Sequence, residues 1–304
     1  VRKGKAPTEL VERQYAQPIQ DETLNRVTKQ TLEAAVKEHD LKPVGPFEVQ
    51  RTDFDQEGGL VLEATVEVEP SFRLAECKGI RLTRPSAEVG VPELDRALTQ
   101  LQESMAHLEP TPDGTSKERK IPPLDDELAK DLGFQTLNQL REHVEAKLRE
   151  QKRAAQAQAL ESSLSDELLT RNAFEVPPGL VAHQAERLTR DFKARRLLSG
   201  VPEAQAEEET KTFGEQLRRS AERHVKLSFI LDRIAAQESV SVTQDEVVGR
   251  LWQLSQRWKK DPADIRKLFD AQSLWPSVIS TIRQEKTLAL LLAAATIDDK
   301  PRST

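Results

Sequence analysis

The chain opens on three cations, Arg2, Lys3 and Lys5, with Gly4 among them and no acid between them. Cations on a projecting segment attract phosphates and carboxylates, and a glycine lets the backbone approach a partner surface closely. The remainder leans the other way. A net charge of −6 argues against broad coating of nucleic acid, while a local basic patch of this kind can still bind RNA. The acidic run Glu203 to Glu209 reads as a solvated loop. The other side chains able to do chemistry are scattered. No GxGxxG, phosphate loop, GxSxG or HExxH occurs. The five histidines, His39, His107, His143, His183 and His224, each lack a second histidine or cysteine at i+3 or i+4 and read as surface or packing residues. Cys77 stands beside Lys78, which could lower a thiol pKa, but a lone loop cysteine is ordinarily incidental. A single cysteine also excludes an intrachain disulfide framework and a cysteine-based zinc cluster, which suits a reducing cytosol. The expectation is a binding protein with no catalytic residue, no metal ligand and no cofactor.

The elements that would position these residues follow from composition and period. With 304 residues there is room for two or three domains, but 37% hydrophobic and 32% charged residues are a lean supply for one large globule, so an elongated, multi-domain chain is expected. No apolar run approaches the roughly 18 residues of a membrane span. Pro7 and Thr8 open a short helix, and a longer one follows from Pro18 to His39 with Leu24, Val27, Thr31, Leu32, Ala35 and Val36 at helical spacing. Alternation at Leu60, Leu62, Ala64, Val66 and Val68 predicts a half-buried strand, with Phe47 to Arg51 as its hairpin partner. Ile80 and Leu82 read as an extended connector and Pro85 to Pro92 as linker. A helix then carries Leu94, Leu98, Leu101, Met105 and Leu108 on one stripe and stops at the turn-forming stretch Glu109 to Gly114. Beyond Pro123 nearly everything is helical: Phe134 to Asn172, roughly 55 Å if continuous, then Pro178 to Leu198 closed by Gly200, Thr212 to Gln237, and Gln244 to Trp258. Thr243 and Glu246 form a capping box, and two more helices follow around Pro262 to Asp270 and Pro276 to Ala295. Broken heptads favour antiparallel helical arms over a long coiled coil. The fold class expected is an α+β N-terminal domain followed by a mostly α-helical C-terminal domain, divided as residues 1–79, 80–116 (linker strand and helix) and 117–304.

The opening Val1-Arg2-Lys3-Gly4-Lys5-Ala6-Pro7 resembles the signature of the bacterial trigger factors, with Arg2, Gly4 and Pro7 matching and Val1 in an aromatic's place. The order of helix pair, hairpin, connector and linker helix is similar to that family. So are the segment Ile121 to Lys130 at the return into the helical domain, Glu175-Val176-Pro177-Pro178, and Val240-Ser241-Val242-Thr243. One departure is large. Family members carry an FKBP-like prolyl isomerase domain between linker helix and helical domain, whereas this chain passes directly from Asp113-Gly114-Thr115-Ser116 to Lys117-Glu118-Arg119-Lys120. The family's strand and helix upstream of the signature are missing as well.

The resemblance implies an ATP-independent chaperone of the cytoplasm that docks at the ribosomal exit and binds unfolded nascent polypeptides, without isomerase activity in these residues. Its partners would be an exit-site ribosomal protein and ribosomal RNA through Val1, Arg2, Lys3, Gly4, Lys5 and Pro7, with no membrane and no DNA. Client binding would be diffuse, because varied apolar segments need adaptable apolar patches. Leu197, Leu198, Phe213, Leu251, Trp252, Trp258, Phe269, Leu274 and Trp275 are the candidates, although helical spacing serves a core equally well. A periplasmic SurA-like helical chaperone and a helical adaptor for folded partners are the alternatives.

Overall fold

The computed structural model describes residues 8–55, 59–110 and 117–299. It divides into two compact units, each made of two stretches of chain: residues 1–73 with 172–230, and residues 74–171 with 231–304.

In the first unit, helix α1 (Thr8–Glu38) runs through Pro18 without a break, where a proline stop between two helices was expected. Strands β1 (Glu48–Asp55) and β2 (Gly59–Thr65) form the expected antiparallel hairpin, with a register irregularity between Val49 and Arg51. Along β2 the half-buried positions are Leu60, Leu62 and Ala64, the set that alternation selects. Flanking the hairpin, the Val44 amide donates to the Glu67 carbonyl and the Glu69 amide to the Lys42 carbonyl, at 2.9 Å each.

The second unit contains β3 (Arg81–Arg84), α2 (Val91–Ser104), β4 (His107–Pro110), β5 (Lys117–Lys120), α3 (Asp126–Asp131) and α4 (Leu137–Arg171). Strands β4 and β5 pair antiparallel, so the chain leaves α2 as a strand and Leu108 does not extend the helical stripe. Pro110 and Pro112 cannot continue a helix, and pairing with 117–120 gives the backbone its alternative hydrogen bonds. Leu94, Leu98 and Leu101 of α2 pack with Ala129 of α3 and with Leu137, Leu140 and Val144 of α4, and Leu98, Ala129 and Leu140 are buried. Helix α4 is continuous over 35 residues. Asp125 starts α3 by accepting hydrogen bonds from the Glu127 and Leu128 amides at 3.0 and 3.1 Å.

Helix α5 (Pro178–Leu198) ends at Gly200, whose φ of +85° is the left-handed conformation that glycine adopts without strain. The acidic run expected to be a loop is instead α6 (Glu203–Thr212). Ala206 is fully buried there, Arg196 donates to Glu209 at 2.6 and 2.9 Å, and Lys193 reaches Glu203 at 3.2 Å. The acids are therefore fastened to cations of α5, and the Arg196 bond holds the Glu209 carboxyl below the usual carboxylate range. Helix α7 (Gly214–Gln237) starts past Phe213, where one long helix from Thr212 was expected. Val181, Leu180, Ala185 and Leu188 of α5 pack with Ala221, Val225 and Phe229 of α7.

The last elements are α8 (Gln244–Trp258), α9 (Pro262–Ala271), α10 (Trp275–Ala293) and β6 (Thr296–Asp299). Proline sits at the first or second position of α2, α5, α9 and α10, where its missing N–H leaves no helical bond unmade. Strand β6 pairs in parallel with β3, and Arg84 donates to Asp299 at 2.6 and 3.1 Å. No helix among the described residues is long and apolar enough to cross a membrane. The α+β beginning and the predominance of helix thereafter agree with the expected fold class.

Two contacts fasten the end of the hairpin region to the base of α5 within the first unit. The Glu67 carboxylate accepts from the Gly179 amide at 2.5 Å and from the Leu180 amide at 3.1 Å, capping α5 from 112 residues away. Phe72 stacks on Phe174 with ring centroids 4.0 Å apart, and the Lys226 ammonium lies 5.3 Å from the Phe174 centroid. A Cβ at Gly179 would lie 2.8 Å from the Glu67 carboxylate, so only glycine admits the cap. Removing the carboxylate by Glu67→Ala should cost about 1 kcal/mol, as loss of a helix cap does. Gly179→Ala should then change sign with background. With Glu67 present it evicts the cap, whereas in Glu67→Ala only helix propensity remains, and alanine should stabilise by up to about 1 kcal/mol. Thermal melts of the four proteins of this cycle check it, and additive effects would count against the cap.

Candidate functional site

Helices α8, α9 and α10 enclose an open, largely apolar cleft in the second unit. Helix α8 begins with the capping box: Thr243 Oγ1 accepts from the Glu246 amide at 3.3 Å, and the Glu246 carboxylate accepts from the Thr243 amide at 2.7 Å. Lys286 of α10 pairs with that carboxylate at 2.7 Å and donates to the Ser241 carbonyl at 2.6 Å. The Lys286 bond, aided by the Thr243 amide, holds the Glu246 carboxyl below its ordinary range. One turn along, Arg250 forks onto Glu285, one arm at 3.1 Å. Two charged braces thus tie α8 to α10.

Helix α9 forms the adjoining wall. Asp261 caps it by accepting from the Ala263 amide at 2.7 Å, and Ile265 and Phe269 turn inward, 1% and 4% exposed. Phe269 lies between two tryptophans, edge-on to Trp258 at 6.3 Å and to Trp275 at 5.3 Å. Trp275 donates its indole N–H to Asp270 Oδ1 at 2.6 Å. Between the helices lies a cleft of about 460 Å³ lined by Val242, Val247, Val248, Leu251, Trp275 and Ile279, with Thr243, Gln244, Arg266 and Asp270 as its polar members. Val248 is 58% exposed, and Trp252, one turn further on the same face of α8, is 59% exposed. Isolated surface hydrophobics are ordinary, but apolar residues clustered at an open cleft make it a candidate binding surface.

The candidates named from sequence fall in three places. Val1, Arg2, Lys3, Gly4, Lys5 and Pro7 lie outside the described residues. In the second unit, Leu251 and Trp275 line the cleft, Leu274 is half-buried just before α10, and Trp252 and Trp258 are exposed. Phe269 is interior, so it shapes the wall without presenting itself to a ligand. In the first unit, Leu197 and Leu198 at the end of α5 are 41% and 88% exposed, and Phe213, between α6 and α7, is 42% exposed with its ring 5.6 Å from that of Phe192. Sequence reasoning missed Val242, Val247, Val248, Ile279 and Arg266. The signal for Val248 was its i, i+4 spacing to Trp252, which a core stripe would share.

The cleft offers apolar contact from braced helical walls. Its Thr243 hydroxyl is committed to the cap and its Asp270 to Trp275. Among the described residues no group of three or more His, Cys, Asp or Glu side chains could hold a metal ion. A hairpin-bearing α+β region followed by a helical assembly whose polar groups brace an open apolar cleft is the architecture of an α+β and mostly helical multi-domain protein. The chain belongs to the bacterial trigger factor family. The model of the family's C-terminal region matches residues 136–293, and that of its N-terminal region matches residues 1–101. The trigger factor of Anaeromyxobacter dehalogenans is 25% identical over 383 aligned positions, covering 97% of this chain and 89% of that protein. That of Corynebacterium aurimucosum is 24% identical, covering 98% of this chain and 85% of the relative. A solved structure of the trigger factor chaperone, concerned with promiscuous substrate recognition in folding and assembly, aligns over 96% of this chain and 88% of its own at 19% identity and a TM-score of 0.48. Membership gives the chain a chaperone role.

Proposed function

We propose that the chain is an ATP-independent cytoplasmic chaperone that docks at the ribosomal exit through Val1 to Pro7 and shields apolar segments of unfolded nascent polypeptides. The observation that carries the client reading is the braced cleft of α8 to α10, with Val248 exposed on its lining and Trp252 exposed one turn further along α8. Leu197, Leu198 and Phe213 are further exposed apolar residues that clients could contact. Weak, adaptable contacts of this kind take many sequences and release them as they fold.

Isomerase activity is not part of this proposal. The alignment to the Anaeromyxobacter relative runs over 383 positions against this chain's 304 residues, so the relative carries residues that this chain does not have. Only residues 102–135 separate the two family matches, where the resemblance puts a whole FKBP-like domain. A single preparation tests both statements. The chain should slow aggregation of a chemically denatured protein without nucleotide, and a prolyl peptide beside it should still exchange over tens to hundreds of seconds. An absolute ATP requirement would overturn the chaperone reading, and clear acceleration of the peptide would show an isomerase site.

A further inference from the structure

Helix α6 is attached to the first unit differently from its neighbours. Helices α5 and α7 meet through Val181, Leu188, Ala221 and Val225, an apolar seam. In α6 only Ala206 is buried, and every other side chain of the helix except Ala204 is polar. What fastens α6 is charge. Lys193 of α5 reaches Glu203 at 3.2 Å and Glu207 at 4.0 Å, and Arg196, one turn on, forks onto Glu209 at 2.6 and 2.9 Å. All five side chains keep contact with water, so these pairs hold loosely and are open to screening. Gly200, in the left-handed conformation, and Gly214 bound the helix.

We propose that α6 is a flap latched by charge, which opens as ionic strength rises and uncovers the side of α5 that carries Lys193 and Arg196. Ion pairs weaken as the Debye length falls from about 10 Å at 0.1 M salt to about 3 Å at 1 M. The apolar α5–α7 seam carries no such dependence. Salt therefore separates α6 from the other two helices instead of melting all three. Release sacrifices little apolar contact, because the one buried side chain that leaves is an alanine. The cations set free keep their long stems on α5, with half-buried Phe192 one turn before Arg196 on the same face. The device does not depend on where clients bind.

The test places a thiol at the buried position of α6. In Ala206→Cys, labelling by a neutral maleimide reports undocking, and Cys77, 7% exposed, supplies a slow background. Between about 0.05 and 1 M NaCl the labelling rate should rise about fivefold, the scale of loosening two or three exposed pairs. Adding Lys193→Gln and Arg196→Gln should give the fast rate already at low salt and remove the dependence. Exchanging the partners, as Arg196→Glu with Glu209→Arg, should return most of the slow labelling. Hydrogen exchange of the unsubstituted chain over the same salt series needs no new side chain. Amides of residues 204–211 should speed up with salt while those of 217–229 hold steady. Exchange of α6 that ignores salt, or that rises only together with exchange across α7, overturns the flap.

Discussion

Reversing charge at Arg2 and Lys3 together is expected to weaken ribosome co-sedimentation by tenfold or more while leaving aggregation suppression intact. The two cations stand with Lys5 in an opening free of acid, in a chain that is otherwise net acidic. A ribosomal surface presents RNA phosphate, so each cation gains both Coulomb attraction and released counterions. One exposed pair is worth about 1 kcal/mol or less. Reversal replaces each attraction with a repulsion, however, and two such exchanges at one small contact pass the roughly 1.4 kcal/mol that makes a decade in affinity. Salt supplies an independent mark. Losing two phosphate contacts should flatten the slope of log affinity against log salt by about two. Arg141→Glu serves as the helix-face control and should change little. Co-sedimentation at several salt concentrations, run beside an aggregation assay on the same Arg2→Glu, Lys3→Glu variant, gives the answer. Unchanged ribosome binding would remove the docking assignment, and loss of both activities would make this segment a support of the fold.

The helices were the legible part of this chain because their signals are local. Pro178 and Gly200 bracket α5, and Thr243 with Glu246 opens α8 through bonds that span three residues. The β1–β2 hairpin was equally readable from alternation. What could not be read depends on contacts distant in sequence. Strand β6 is too short to carry a period, and it exists by pairing with β3, with Arg84 and Asp299 215 residues apart. The return of residues 172–230 to the first unit depends on Glu67 capping α5 and on Phe72 against Phe174, and nothing near those residues announces their partners. Glu203 to Glu209 looked like a loop from its charge alone, yet Ala206 and the cations of α5 make it a helix. For the cleft, periodicity selected the right helices without saying which face was covered. Phe269 and Trp252 carried the same signal, and their surroundings separate them.

That separation predicts different stabilities for two variants, one altered in α9 and one in α8. Phe269→Ala removes a side chain that is 4% exposed and touches Trp258 and Trp275, so it leaves a cavity between two ring edges. Such truncations cost about 3–5 kcal/mol, a large share of the 5–15 kcal/mol that typically holds a domain together. Hydrogen exchange across α8 to α10 should accelerate, and client capture should fall because the wall of the cleft is lost. Val248→Gln with Trp252→Gln should behave differently. Both side chains are more than half exposed, at 58% and 59%, and glutamine is the better helix former, so melting and exchange should stay near the wild type. A buried Trp covers about 150–250 Å². At 59% exposure Trp252 alone therefore leaves on the order of 100 Å² for a client, worth roughly 2–3 kcal/mol. Ordering the client offsets part of that gain, and an affinity loss of about tenfold is expected for the double variant. Peptide anisotropy and aggregation assays on the two variants, read beside their exchange rates, distinguish wall from surface. Full client capture by the Val248→Gln, Trp252→Gln protein would show that clients bind elsewhere, leaving Leu197, Leu198 and Phe213 as the surface to test next.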